Sequence, residues 1–318
     1  MAKLSRPRRG SLQYWPRKRA KKILPSVNWK SISEKNNEKK LLGFIGYKVG
    51  MASAQVKDLT SDSMTKNKKI VIPATIIECP PLKIFSVRFY KNKLPVSDVL
   101  SENIDKELRR KVKIPKKISK KIDDVKDFDD LKFIVYSTVK RTGIKKTPDI
   151  LEIAVGGSKE DKIAFAKEHL NKEIKADSVF EKMQLVDIRG TTKGKGLEGA
   201  VKRFGIGLKQ HKSEKGRRRA GSLGPWHPAR VTFRAPQAGQ LGMFTRAIYN
   251  SKVIGVGSIN EQNINPKSGF KNFGNIRTDY IILSGSVQGP PKHQVVLTQP
   301  LRITKNKKKK NYEFINLI

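Results

Sequence analysis

Residues 41–56 read LLGFIGYKVGMASAQV, and residues 68–91 read KKIVIPATIIECPPLKIFSVRFYK. Both are rich in β-branched and aromatic residues and are broken at intervals by Gly and Pro. Such side chains pack well on a pleated surface, so both stretches read as strands. The texture returns in KMQLVDIRG (182–190), SKVIGVGSIN (251–260), DYIILSGSV (279–287) and HQVVLTQPLRIT (293–304). These segments predict a mainly β body over 41–98 and 179–304. The single cysteine, Cys79, lies inside one of them. One cysteine cannot form an internal disulfide or a multi-cysteine metal cage, and a buried thiol in a reducing, cytosolic compartment is the expectation.

Two stretches interrupt the body. Residues 101–170 hold 13 of the 28 acids. Helical spacing shows in SENIDKELRRKVK (101–113), DDVKDFDDLKF (123–133) and SKEDKIAFAKEHLNKE (158–173), with strands FIVYSTV (133–139) and DILEIAV (149–155) between. They predict a more neutral α+β insertion over 99–178. The second interruption, 188–252, reads as one long irregular loop. From 189 to 252 there are 15 Lys or Arg, two acids and 11 glycines. Loops of this length in compact domains are usually functional or disordered. Residues 1–40 read as a basic N-terminal arm, of which residues 1–30, with ten Lys or Arg and no acid, read as extended and disordered until bound. Tyr14, Trp15 and Trp29 argue against a plain solubilising tail. Residues 305–318 read as a basic C-terminal tail.

Charge narrows the function. The 318 residues carry 68 Lys and Arg against 28 Asp and Glu, a formal net of +40. In one compact body that charge repels itself, and a polyanion relieves the repulsion by exchanging its condensed counterions for protein cations. Nucleic acid fits. A membrane does not, because no apolar run approaches the roughly 18–20 residues of a spanning helix. The N-terminus has charge but no apolar core of a signal peptide.

GKGLEG (194–199) matches the glycine pattern of dinucleotide-binding loops. Its context fails, because five residues separate it from the preceding strand, and Arg217, Arg218 and Arg219 stand where a ribose-binding acid is needed. His169, His211, His227 and His293 show no metal-ligand spacing. His211 and His227 share the basic loop, so an RNA-processing enzyme is the alternative, but only Glu198 and Glu214 are there to orient them. No cofactor and no small-molecule substrate is expected.

The basic segments combine what folded RNA requires. Arginine forks reach phosphate oxygens, aromatics offer faces to unstacked bases, and glycines allow close main-chain approach. The candidate RNA-binding residues of the arm are Arg6, Arg8, Arg9, Trp15, Arg17, Lys18, Arg19, Lys21 and Lys22. Those of the loop are Lys193, Lys195, Lys202, Arg203, Lys209, His211, Lys212, Arg217, Arg218, Arg219, Trp226, His227, Arg230, Arg234 and Arg246. For Trp226, in GSLGPWHPARV (221–231), the alternative is a local cluster with Phe233 and Leu223. A general nucleoid-type binder is a further alternative, although phosphate contacts alone need no tryptophan.

Several stretches resemble one family. FIGYKVGM (44–51), VFEKMQLVDIRGTTKGKGLEGAVKRFG (179–205), and GSLGPWHPARV with RAPQAGQLGMFTRAIYN (221–231, 234–250) are similar to the universal large-subunit ribosomal protein L three family. RPRRGSLQYWPRKRAKK (6–22) resembles its archaeal and eukaryotic branch, and the length suits an archaeal member. The resemblance implies a Greek-key β-barrel of the translation-protein type with an α+β insertion and long basic extensions. It implies a non-catalytic protein of the large ribosomal subunit in the cytoplasm, acting early in assembly. Its partners would be large-subunit rRNA and neighbouring large-subunit ribosomal proteins. It places the Trp of GPWHP, here Trp226, at a loop tip reaching toward the peptidyl-transferase region. Glu214 departs from the pattern, standing where eukaryotic relatives carry a modifiable histidine.

Overall fold

The computed structural model describes residues 9–115, 120–125, 127–213 and 216–318. Arg6, Arg8 and Glu214 lie outside them. The chain is mainly β and divides into two compact units, Met1–Ile23 with Thr191–Thr245, and Leu24–Gly190 with Arg246–Ile318.

The larger unit contains two antiparallel sheets. In chain order the first strands are β1 (Gly43–Asp58), β2 (Lys69–Cys79), β3 (Leu82–Lys91), β4 (Leu94–Leu100), β5 (Asp130–Ser137), β6 (Ile150–Ala154) and β7 (Glu173–Ile174). They continue as β8 (Leu185–Thr191), β11 (Thr245–Ser258), β12 (Asp279–Ser284), β13 (Gln294–Thr298) and β14 (Tyr312–Leu317), while β9 (Leu197–Glu198) and β10 (Gly239–Gln240) belong to the smaller unit. One sheet runs β13-β8-β11-β12-β2-β1-β14, and β13 also pairs with β1, so six strands form a closed circuit of pairings. β1 manages two partners on one side by length. Gly43–Tyr47 face Thr298–Gln294 of β13, and Ala54–Asp58 face β14.

The first seven residues of β1 are all buried, and only its end alternates. Covering on both faces explains why this stretch reads as a nearly continuous apolar run. Gly43 is required there: a Cβ would meet the Trp29 ring at 2.7 Å and the Leu297 carbonyl at 2.9 Å. Cys79 is buried as expected.

The second sheet runs β4-β3-β5-β6, with β7 on β3. The expected strands 133–139 and 149–155 are here, as is the helix, at Lys159–His169. Ser158 Oγ accepts from the Asp161 N–H and the Asp161 carboxylate accepts from the Ser158 N–H, a reciprocal cap. Phe165 of this helix packs edge-on to Phe133 of β5 at 5.6 Å. One apolar cluster joins the sheets, including Phe44 and Ile45 of β1, Leu82 and Phe89 of β3, and Phe133. A second, with Val49, Val56, Ile76, Ile254 and Ile282, fills the first sheet.

Several elements differ from the sequence reading. Leu82–Leu100, read mostly as body, pair within the second sheet, because Pro80 and Pro81 break the apolar run and redirect the chain. The expected helix at 101–113 is a short 3-10 turn, Lys106–Arg110, whose one buried side chain is Leu108. A single anchor does not offset helix nucleation. The expected helix at 123–133 is instead the 3-10 turn Ile122–Asp124 followed by β5. Within the tail, β14 pairs with β1, and its alternating Tyr312 and Phe314 pack on the second cluster. The arm read as 1–40 is not uniform either. Residues Trp29–Ser33 form a helical turn whose Trp29 is 5% exposed and whose Ile32 is also buried.

Candidate nucleic-acid interface

The smaller unit is built from the arm and the basic loop. The loop leaves β8 at Thr191 and rejoins the body at Thr245 in β11. Its two legs form an antiparallel ladder, so the segment read as irregular is ordered near its base. Thr192 N–H donates to Phe244 O at 3.0 Å, Lys195 N–H to Leu241 O at 2.9 Å, and Leu241 N–H to Gly196 O at 2.9 Å. β9 and β10 extend the ladder, pairing Leu197 with Gln240 and Glu198 with Gly239. Gly242 permits the close approach: its φ is +79°, and a Cβ would sit 1.9 Å from the Lys193 carbonyl oxygen.

GKGLEG therefore forms one leg of a hairpin. A five-residue helix, Ala200–Phe204, follows and ends at Gly205 in the left-handed conformation. From that helix Arg203 reaches across to the returning leg. Its Nε donates to Gln240 O at 3.1 Å, and its Nη1 to Gln237 O at 3.1 Å and Ala238 O at 3.5 Å.

The arm docks on this scaffold. Arg9 N–H donates to Phe204 O at 3.1 Å, and Ala20 N–H to Met243 O at 2.8 Å. Between these bonds the arm folds on itself, with Arg17 Nη2 donating to Ser11 O at 2.9 Å. The Arg17 guanidinium carbon lies 4.3 Å from the Phe204 ring centroid, and that of Arg203 5.1 Å from it. Trp15 stacks on Phe233, with centroids 4.9 Å apart and planes 20° from parallel. The described part of the arm thus has internal partners, in contrast to the expected disordered segment.

The structure brings together Arg9, Trp15, Arg17 and Arg203 of the predicted set. Arg217 Nε donates to Lys209 O at 3.1 Å and Lys209 N–H to Arg217 O at 3.1 Å, closing the segment that carries exposed His211 and Lys212. Lys18, Arg19, Lys21, Lys22, Lys193, Lys195, Lys202, Arg218, Arg219, His227, Arg230 and Arg234 are exposed. Arg246 belongs to the larger unit, where its carbonyl accepts from Gln288 Nε2 at 3.1 Å. Trp226 is 87% exposed. Of the alternative local cluster of Trp226, Leu223 and Phe233, the Phe233 ring stacks on Trp15. Phe204, Phe233 and Tyr14 were not among the predicted site residues. The only sequence signal for them is an aromatic ring beside unbroken cationic charge.

Charge explains what this surface can do. The segments 1–23 and 191–245 hold 21 Lys or Arg and two acids, nearly half of the net +40. Glu198 pairs with Lys202 at 3.1 Å. Two acids leave the 21 cations largely unneutralised, so these segments carry a strong positive field. The stretch that forms the second sheet contrasts: residues 82–178 hold 16 of the 28 acids. There Arg88 meets Asp98, Arg141 meets Glu173, and Lys162 meets Asp130.

The family model described as Ribosomal protein L3 matches residues 1–317. The chain belongs to the ribosomal protein L3 family. It is similar to the large ribosomal subunit protein uL3 of Methanobrevibacter smithii, at 39% identity over 100% of this chain and 98% of the relative. The uL3 of Picrophilus torridus is 41% identical over 96% of this chain and 94% of the relative. That of Methanocaldococcus jannaschii is 39% identical over 94% and 92%. As an L3 protein the chain is a structural constituent of the large ribosomal subunit and not an enzyme, which removes the RNA-processing reading of His211 and His227. No helix among the described residues is long and apolar enough to cross a membrane.

Proposed function

We propose that this protein binds and folds large-subunit rRNA through the unit formed by its arm and basic loop, early in subunit assembly. The observation that carries the reading is charge segregation: 21 cations and two acids in 78 residues. The exposed lysines and arginines neutralise phosphates, and the ladder and the Arg203 fork hold the two legs of the loop together. Trp226 is the candidate tip contact toward the peptidyl-transferase region, with its exposed ring available for an RNA pocket. Any influence on peptide-bond formation is indirect, through RNA geometry.

We read the larger unit as a Greek-key barrel. Support comes from the closed pairing circuit and from the order β13-β8-β11-β12, in which a fourth strand returns beside the first. The acid-rich, ion-paired second sheet is the candidate surface for neighbouring ribosomal proteins.

Binding of the purified chain to large-subunit rRNA across a salt series tests the reading. If about ten cations meet phosphates, the logarithm of the binding constant falls against log salt with a slope of roughly −7 to −9. A flat dependence overturns the proposal, and equal preference for duplex DNA overturns its RNA specificity.

A further inference from the structure

Arm and loop together enclose a cleft of about 350 Å³, with Trp15, Arg17, Arg203, Phe204, Val231 and Phe233 on its walls. We infer that this cleft is a nucleobase pocket that receives one unpaired nucleotide of large-subunit rRNA. The inference rests on the rRNA-binding reading and names a second contact, separate from the Trp226 tip.

Three observations select the occupant. First, the walls combine aromatic rings with two guanidinium groups, and no acid among the described residues lines the cleft. A bare phosphate has no use for the rings, and an apolar segment has no use for the two guanidinium groups. A nucleotide satisfies both, with a π-face for the rings and a phosphate for the arginines. Second, the rings are presented outward. Phe233 is 74% exposed and Trp15 51% exposed although they stack on each other. An exposed Trp–Phe stack is apolar surface awaiting a cover. Third, spacing fixes how a base enters. Sandwiching a base needs rings about 7 Å apart, two contacts of roughly 3.5 Å. At 4.9 Å the two rings exclude insertion between them. The base therefore extends the stack on an outer face. Thr232 and Gln237 on the walls supply neutral hydrogen-bonding groups for the base edge.

The pocket needs both segments, because Trp15 comes from the arm and Phe233 from the loop. Base capture therefore requires the arm to be docked.

The test uses the full chain with large-subunit rRNA. Zero-length ultraviolet crosslinking followed by peptide mass spectrometry is expected to place a nucleotide adduct on the peptide carrying Trp15 or Phe233. Trp15→Ala and Phe233→Ala are each expected to weaken binding roughly 5- to 150-fold, the range of one lost base stack. The salt slope stays unchanged because no charge is removed. Phe233→Tyr keeps a ring face and is expected to bind like the parent. Amide exchange at Arg9 and Ala20, whose N–H groups donate to Phe204 O and Met243 O, reports whether the arm stays docked in each variant, and where it does not, the adduct on the parent chain decides. Steep salt-dependent binding without any adduct at either ring, and with both alanine variants binding as the parent, overturns the pocket and leaves rRNA binding standing. Absence of salt-dependent rRNA binding by the parent overturns the underlying reading instead. Adducts on assembled subunits that join these rings to a protein also overturn the pocket.

Discussion

Replacing Arg203 with alanine removes the cross-brace of the basic loop. The side chain donates to Gln240 O and Gln237 O at 3.1 Å each, and more weakly to Ala238 O at 3.5 Å. A hydrogen bond from a charged donor contributes about 1.5–3 kcal/mol, so the two good bonds set an upper range of roughly 3–6 kcal/mol. The cation–π contact with Phe204 adds about 0.5–1 kcal/mol at a partly exposed site. Water replaces part of this when the side chain is lost, leaving roughly 2–4 kcal/mol on opening the two legs. Amide exchange at Lys195 and Leu241, which bond across the legs, reads that opening directly. The expected acceleration is roughly 30- to 800-fold, from 1.4 kcal/mol per factor of ten. Arg203→Lys keeps the charge but not the fork, and is expected to fall between parent and alanine. Parental exchange rates at both amides in the alanine variant refute the brace.

Three further outcomes follow from the same structure. Trp226→Ala should leave thermal unfolding unchanged, since the ring is 87% exposed, and weaken rRNA binding by about 1–3 kcal/mol if it stacks on a base; a comparable loss of thermal stability in the free protein contradicts this. Deleting residues 1–23 should leave unfolding of the larger unit intact, whereas deletion through Ser33 also removes buried Trp29 and Ile32 and should cost more than the roughly 3–5 kcal/mol of a buried Trp→Ala change. Equal denaturation midpoints for the two truncations count against that division of the arm. For Glu78, burial pushes the carboxyl above its usual value, although N–H groups of Arg277 and Thr278 and the Thr278 hydroxyl pull the other way. The folded state therefore holds this proton more tightly than the unfolded chain. That contribution is complete below the ordinary Glu pKa and is lost as pH rises through the raised one. Glu78→Gln should remove this loss, so denaturation curves of parent and variant that stay parallel from pH 4 to 7 would refute it.

The body strands were legible because burial on one or both faces leaves its mark in the residues themselves. β1, β2, β8, β11, β12 and β13 all appear as branched or aromatic runs. The partner of each run was not legible. Leu82–Leu100 carry the same texture as β2 yet pair elsewhere, since period and composition do not encode which strand lies alongside. β14 was hidden by the lysines before it, although Tyr312 and Phe314 alternate as a half-buried strand does. The cationic character of the arm and loop was plain from the missing acids. Their docking was not, because Arg9 to Phe204 and Ala20 to Met243 are backbone bonds between segments about 200 residues apart. Backbone groups carry no sequence signal. Sequence proximity pairs Phe233 with Trp226, whereas Trp15, 218 positions away, stacks on it.

In the proposed function the arm and basic loop, and not the acid-rich second sheet, form the RNA-facing surface. A protein–RNA crosslinking map of assembled large subunits tests it most directly. Adducts are expected to concentrate in residues 1–23 and 191–245, with few in 82–178. Adducts gathered mainly on 82–178, with the arm and loop bare, would contradict it.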